Sequence, residues 1–89
     1  MSNEVLIVDD NPDIRNILNE LISDLGYTTR IAANFQQALA EIDKKLPDVA
    51  IIDVKLDKGD NDGIELLSHI KKKNKDIPVI IISGHANIE

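Results

Sequence analysis

The chain has no cysteine in its 89 residues. That excludes disulfides and thiol chemistry, and it suits a reducing, cytoplasmic setting. Aromatic side chains are nearly absent: Tyr27 and Phe35 are the whole complement, too few to stack the bases of a single-stranded nucleic acid. Positive charge is in deficit, with 10 Lys and Arg against 16 Asp and Glu and a net charge of -6. With a pI near 4.7, such a chain repels phosphate backbones and anionic lipid. The one basic run, Lys71-Lys72-Lys73 with Lys75, falls at the end of an expected helix, where it complements the helix dipole. No stretch approaches the roughly 20 apolar residues of a membrane span, and the acidic N-terminus is no signal peptide. What is present, 43% hydrophobic and 29% charged residues, is ordinary for a globular protein and sufficient for one domain over residues 1–89.

The periodicity alternates between strand and helix. Val5-Leu6-Ile7-Val8 reads as a strand buried on both faces. Asn11 then caps a helix with Pro12 in its first turn. Ile14, Ile17, Leu18, Leu21, Ile22 and Leu25 form its apolar stripe, and Gly26 ends it as a left-handed cap. Tyr27 to Ile31 is a more polar strand, suited to a sheet edge. Asn34 caps a second helix, with Phe35, Ala38, Leu39, Ile42 and Leu46 inward and Pro47 closing it. Asp48 to Ile52 is the third strand. After a polar loop, a third helix turns Ile64, Leu67 and Ile70 inward, and Val79-Ile80-Ile81-Ile82 is a fourth strand. Right-handed crossovers make this β-α-β-α-β-α-β order an α/β, doubly wound parallel sheet. The most apolar strands belong in the middle and the second at an edge, which predicts the strand order 2-1-3-4. The chain then reverses direction between strands one and three, and open α/β sheets bind ligands at that point.

Asp9 and Asp10 follow strand one and Asp53 follows strand three, so three carboxylates flank the switch point. Asp9 and Asp10 alone would pass as acids at the positive end of a helix. Gathered with Asp53, and with no Lys or Arg adjoining Asp9 and Asp10, they call for a cation that offsets their repulsion. Mg²⁺ suits them, because it takes one or two carboxylates, waters and phosphate oxygens. Asp53 can ligate the ion with one oxygen while the other attacks a phosphoryl group. Ser83 ends strand four, next to strand three, where its hydroxyl can reach a phosphoryl group on Asp53; alone it would pass as a turn residue.

Asp9-Asp10, Asp53, Asp62-Gly63 opening helix three, and Ser83 together resemble the receiver domain of bacterial two-component response regulators, across the whole chain. The loop wording from Leu56 to Gly63 and from Ile82 to Glu89 is similar to NtrX-type nitrogen-regulation regulators. The resemblance implies a flavodoxin-like fold and a phosphoacceptor that is not a dedicated enzyme, in which Asp53 is phosphorylated by a sensor histidine kinase. It further implies Mg²⁺ held by Asp9, Asp10, Asp53 and the backbone carbonyl of Lys55, with Ser83 as the switch hydroxyl. The parent protein would be a transcription regulator. Receivers also carry a fifth strand with a phosphate-pairing Lys, and no Lys here matches it. The expectation is therefore a receiver fragment lacking the fifth strand and last helices. Its fourth strand is left as an apolar edge prone to self-association or domain swapping.

Other constellations fit less well. Placing Gly63 at the invariant glycine of a calcium loop puts Lys58 and His69 at its two end positions, where acids are required. His69 on an α/β helix reads as a surface residue, and His85 as a spectator or partner contact rather than a ligand. A flavodoxin-like nucleotide binder would carry Ser, Thr and Gly after strand one, not Asp9-Asp10-Asn11-Pro12. A phosphatase with an Asp nucleophile would carry a second acid where Lys55 stands. The alternative of a different class is an interaction or dimerisation module independent of phosphorylation.

Overall fold

A computed structural model describes residues 3–53 and 62–82. The elements run β1 (Glu4–Val8), α1 (Pro12–Asp24), β2 (Thr28–Ala32), α2 (Phe35–Lys44), β3 (Val49–Asp53), α3 (Asp62–Lys73) and β4 (Val79–Ile82). The four strands are parallel in the order β2-β1-β3-β4, as the apolar patterning predicts. Leu56, Ser83 and His85 lie outside the described residues, as does Lys55.

Successive strand residues point to opposite faces, so the sheet splits its apolar side chains between two layers. Leu6, Val8, Ala50 and Ile52 pack with Phe35, Ala38 and Ile42 of α2 and with Leu66 and Ile70 of α3. Val5, Ile7 and Ile51 face the other way, against Leu18 and Ile22 of α1. The first layer is closed. The second is thin: Ile17 and Leu21 of α1 are 55% and 56% exposed, and Ile80 of β4 is 50% exposed. The apolar stripe of α1 is thus only half engaged, with Ile14, Leu18 and Ile22 partly covered and no α1 residue fully buried. β4 is as apolar as β1 in sequence and, among the described residues, lies at the edge that the order 2-1-3-4 gives it. In α3 the buried pair is Leu66 and Ile70, four residues apart, whereas Ile64 is 43% exposed. The expected set Ile64, Leu67 and Ile70 is therefore rotated: Leu66 lies on the inward face, and Leu67 is half-buried.

Local chemistry sets the element ends. The Asn11 side chain accepts from the N–H groups of Asp13 (2.9 Å) and Ile14 (3.4 Å), satisfying two donors that α1 cannot use internally. At the other end Gly26 has φ 98°, and its N–H reaches the Ser23 carbonyl while that of Tyr27 reaches Ile22. This double bond is the Schellman arrangement, and it needs a residue at ease in the left-handed region. Arg30 of β2 caps α2 from outside. Its guanidinium donates to the carbonyls of Glu41 (3.1 Å) and Lys45 (2.6 Å) and pairs with the carboxylates of Glu41 (2.9 Å) and Glu4 (3.3 Å). A cation at a helix C-terminus also complements its dipole. His69 and Lys73 of α3 meet Asp43 of α2 at 3.1 and 3.5 Å, tying the two helices on their solvent side. The hydrogen bond from His69 holds the Asp43 carboxyl below the usual carboxylate range, helped by Lys73.

The unequal layers predict unequal mutational costs. Ile42→Ala empties a fully buried site and is expected to lose about 2–5 kcal/mol of stability in urea unfolding. Ile17→Ala, on the exposed flank of α1, is expected to stay within roughly 0.5 kcal/mol.

Candidate functional site

The parallel sheet brings the ends of β1 and β3 side by side, with Val8 opposite Ile52 in register. Asp9 continues β1 by one residue, its N–H donating to the Ala32 carbonyl at 3.2 Å, and Asp53 is the last residue of β3. Carboxylate oxygens of Asp9, Asp10 and Asp53 consequently lie within 4.8 Å of one another. Asp9 and Asp53 are each 1% exposed, while Asp10 faces solvent. Asp62, at the start of α3, is also buried.

Asp9 is held by its neighbours in sequence. Its Oδ1 accepts from the Asn11 N–H at 2.9 Å, so the residue that caps α1 is itself fixed by the acid before it. Its Oδ2 is buried and accepts no hydrogen bond among the described residues. An orphaned carboxylate oxygen is costly inside a protein. Burial pushes the Asp9 carboxyl above the usual carboxylate range, against the Asn11 hydrogen bond, and Asp53 and Asp10 add repulsion in the same direction. At 4.8 Å a pair of like charges costs about 3 kcal/mol at an effective dielectric near 20, and less where Asp10 meets water.

One neighbour overturns a sequence expectation. Asp9 does have a cation beside it: Arg15, from the first turns of α1, folds back and donates through Nη1 to the Asp9 carbonyl at 2.9 Å. The separation of six residues concealed it, because only the tight turn at Asn11 brings α1 back over the end of β1. Its charge partly counters the rise at Asp9.

The donor set suits a hard cation. Mg²⁺ binds oxygens at about 2.0–2.1 Å, so opposite ligands of an octahedron stand about 4.1 Å apart. A spread of up to 4.8 Å is slightly wider, which fits direct ligation by some oxygens and a water bridge to another. The buried Oδ2 of Asp9 is a ready ligand atom, and the cluster could hold a metal ion. Two sequence-predicted participants, Lys55 and Ser83, lie outside the described residues. Among the described residues no helix is long and apolar enough to cross a membrane.

Comparison with known proteins is consistent with this arrangement. Residues 5–89 match the response regulator receiver domain family. The chain is 43% identical over its whole length to the nitrogen assimilation regulatory protein NtrX of Azorhizobium caulinodans, of which it covers 20%. It is 39% identical over its whole length to sporulation initiation phosphotransferase F of Bacillus subtilis, covering 70% of that protein. Among solved structures, NtrX from Brucella abortus in complex with ADP superposes with a TM-score of 0.85 at 40% identity, over 98% of this chain and 20% of that one. The response regulator TrrA from Thermotoga maritima, in complex with Mg²⁺-BeF, gives 0.84 at 31% identity, over 97% of this chain and 72% of that one. The chain thus spans about a fifth of its NtrX relatives and 70% of sporulation initiation phosphotransferase F. On the match in sequence from Val5 onward and the shared parallel sheet, this chain belongs to the response regulator receiver domain family.

Proposed function

We propose that this domain is a phosphoacceptor: Asp53 takes a phosphoryl group from a phosphohistidine on a sensor histidine kinase. The observation that carries the reading is the convergence of Asp9, Asp10 and Asp53 within 4.8 Å, with one buried oxygen of Asp9 accepting no hydrogen bond among the described residues. An Asp53 oxygen attacks phosphorus, the bond to the kinase imidazole breaks, and its electron pair returns to the ring nitrogen. Asp9, Asp10, Asp53 and the carbonyl of Lys55 are the proposed ligands of Mg²⁺. Bound Mg²⁺ offsets charge on the transferred oxygens, the principal need of a phosphoryl transfer. Ser83 is the proposed switch hydroxyl, engaging the phosphoryl group on Asp53. The Mg²⁺-BeF complex of the TrrA relative supports a metal-assisted phosphoryl site in this family fold. The nitrogen assimilation regulatory protein NtrX and the transcriptional regulatory protein ZraR of Klebsiella oxytoca support a parent protein that regulates transcription, with the receiver controlling its output; a cytoplasmic location belongs to the same proposal.

A second reading has its own observation. Ile80 on the β4 edge and Ile17 and Leu21 on α1 are about half exposed. An exposed apolar edge strand recruits another strand, so self-association through β4, including by domain swapping, is proposed beside phosphotransfer. Signalling by association alone, without phosphate, is the rival it leaves.

Treatment with acetyl phosphate and Mg²⁺ is expected to add one phosphoryl group by intact mass, and Asp53→Asn or chelation to remove the addition. An Asp53→Asn variant labelled as fully as the parent would defeat the assignment. A pH effect follows from Asp9. Its folded carboxyl binds a proton more readily than the unfolded one, so rising pH favours the unfolded state through that range. Asp9→Asn is expected to raise the metal-free melting temperature by several degrees at neutral pH, flatten its decline with pH and abolish the Mg²⁺ response. Sedimentation at rising concentration is expected to show association that Ile80→Lys weakens; a monomer at every concentration would refute the edge reading.

A further inference from the structure

We propose that Arg15 is a positioning residue that serves as a built-in counter-charge for the acid cluster, competing electrostatically with the divalent ion for which that cluster is suited. The inference rests on the metal-site reading above and adds a residue to it.

Three features carry it. Arg15 Nη1 donates to the Asp9 carbonyl at 2.9 Å in a partly buried contact, which fixes the guanidinium at the end of β1. The bond is to a main-chain oxygen, so the guanidinium takes neither carboxylate oxygen of Asp9 while its positive charge remains beside them. No other Lys or Arg among the described residues makes a hydrogen bond or ion pair with Asp9 or Asp10; Arg30 and Lys45 are engaged with Glu4, and Lys44 with Glu41. A permanent cation near three carboxylates lowers their mutual repulsion when no metal is bound, and it repels the metal that binds. Stability of the empty site and affinity for the ion therefore move in opposite directions.

The contact also has a mechanical side. Arg15 N–H donates to the Asn11 carbonyl as the first helical bond of α1 while its side chain returns to Asp9, so one residue spans the turn on which Asp10 sits. A purely mechanical strut would stabilise the fold equally at any salt concentration and would not loosen the ion. A counter-charge fades with screening, from a reach of about 30 Å at 0.01 M salt to about 3 Å at 1 M.

The test compares the full chain with Arg15→Gln and Arg15→Lys. In chelator at about 0.01 M salt, Arg15→Gln is expected to melt several degrees below the parent, with the deficit shrinking toward about 1 M NaCl. Calorimetric titration is expected to show Mg²⁺ binding Arg15→Gln about three- to tenfold more tightly than the parent. Arg15→Lys, which keeps the charge, is expected to track the parent in both measurements. A deficit independent of salt, or Mg²⁺ bound no more tightly by Arg15→Gln, would overturn the proposal and leave Arg15 a strut. If the parent itself binds no Mg²⁺, the metal reading fails separately, and the salt series alone decides for or against the counter-charge.

Discussion

Repulsion among carboxylates at the mouth of the sheet is the constraint around which the molecule is arranged. A parallel sheet ordered β2-β1-β3-β4 must set the ends of β1 and β3 together, and the sequence places acids at both. Burial of Asp9 and Asp53 removes the water that would otherwise screen them. The surrounding contacts moderate the cost without abolishing it: the Asn11 N–H on one oxygen of Asp9, and the Arg15 guanidinium on its carbonyl. A fold selected for stability alone would put apolar or neutral residues there. The presence of three acids fits a site whose energetics are completed by a ligand, since strained polar groups concentrate where function requires them.

Much of this was legible in the residues, for identifiable reasons. Strands buried on both faces show as unbroken apolar runs, so β1 and β3 and the acids after them could be read directly. Asn11, Pro12 and Gly26 are punctuation with a local mechanism, and the first cap and the left-handed turn fall at the expected residues. Strand order followed from which strand was least apolar. The rest depended on geometry that no local window contains. Arg15 reaches Asp9 only because the chain turns sharply at Asn11, and Arg30 caps α2 only because β2 lies beneath that helix's end. The rotation of α3 toward Leu66 reflects where the helix lands on the sheet, since Ile64, Leu66, Leu67 and Ile70 are all apolar and admit more than one stripe.

The two faces of the sheet divide the work unequally. Against α2 and α3, large aliphatic side chains are fully buried, and the ionic ties of Asp43 and Arg30 lie at the margin, where partial exposure limits what each adds. Against α1 the layer is thin, and the helix that carries Asn11 and Arg15 is the least anchored by apolar contact. The polar contacts at its N-terminus therefore matter more for its placement than they would on a well-buried helix. Asp9 to Asn11 and Arg15 to Asp9 together pin the end of α1 nearest the site, while its exposed middle contributes little.

That division links occupancy of the site to the stability of the fold. A ligand that binds only the folded chain stabilises it in proportion to the logarithm of its concentration over its dissociation constant. Here such a ligand would also relieve repulsion that the folded state alone bears, because the unfolded chain keeps its acids apart in water. The effect should centre on the loop between β1 and α1, where Asp9, Asp10, Asn11 and Arg15 share one hydrogen-bonded turn. Since that turn fixes the entry of the weakly buried α1, the charge in the crevice bears directly on how that helix is anchored.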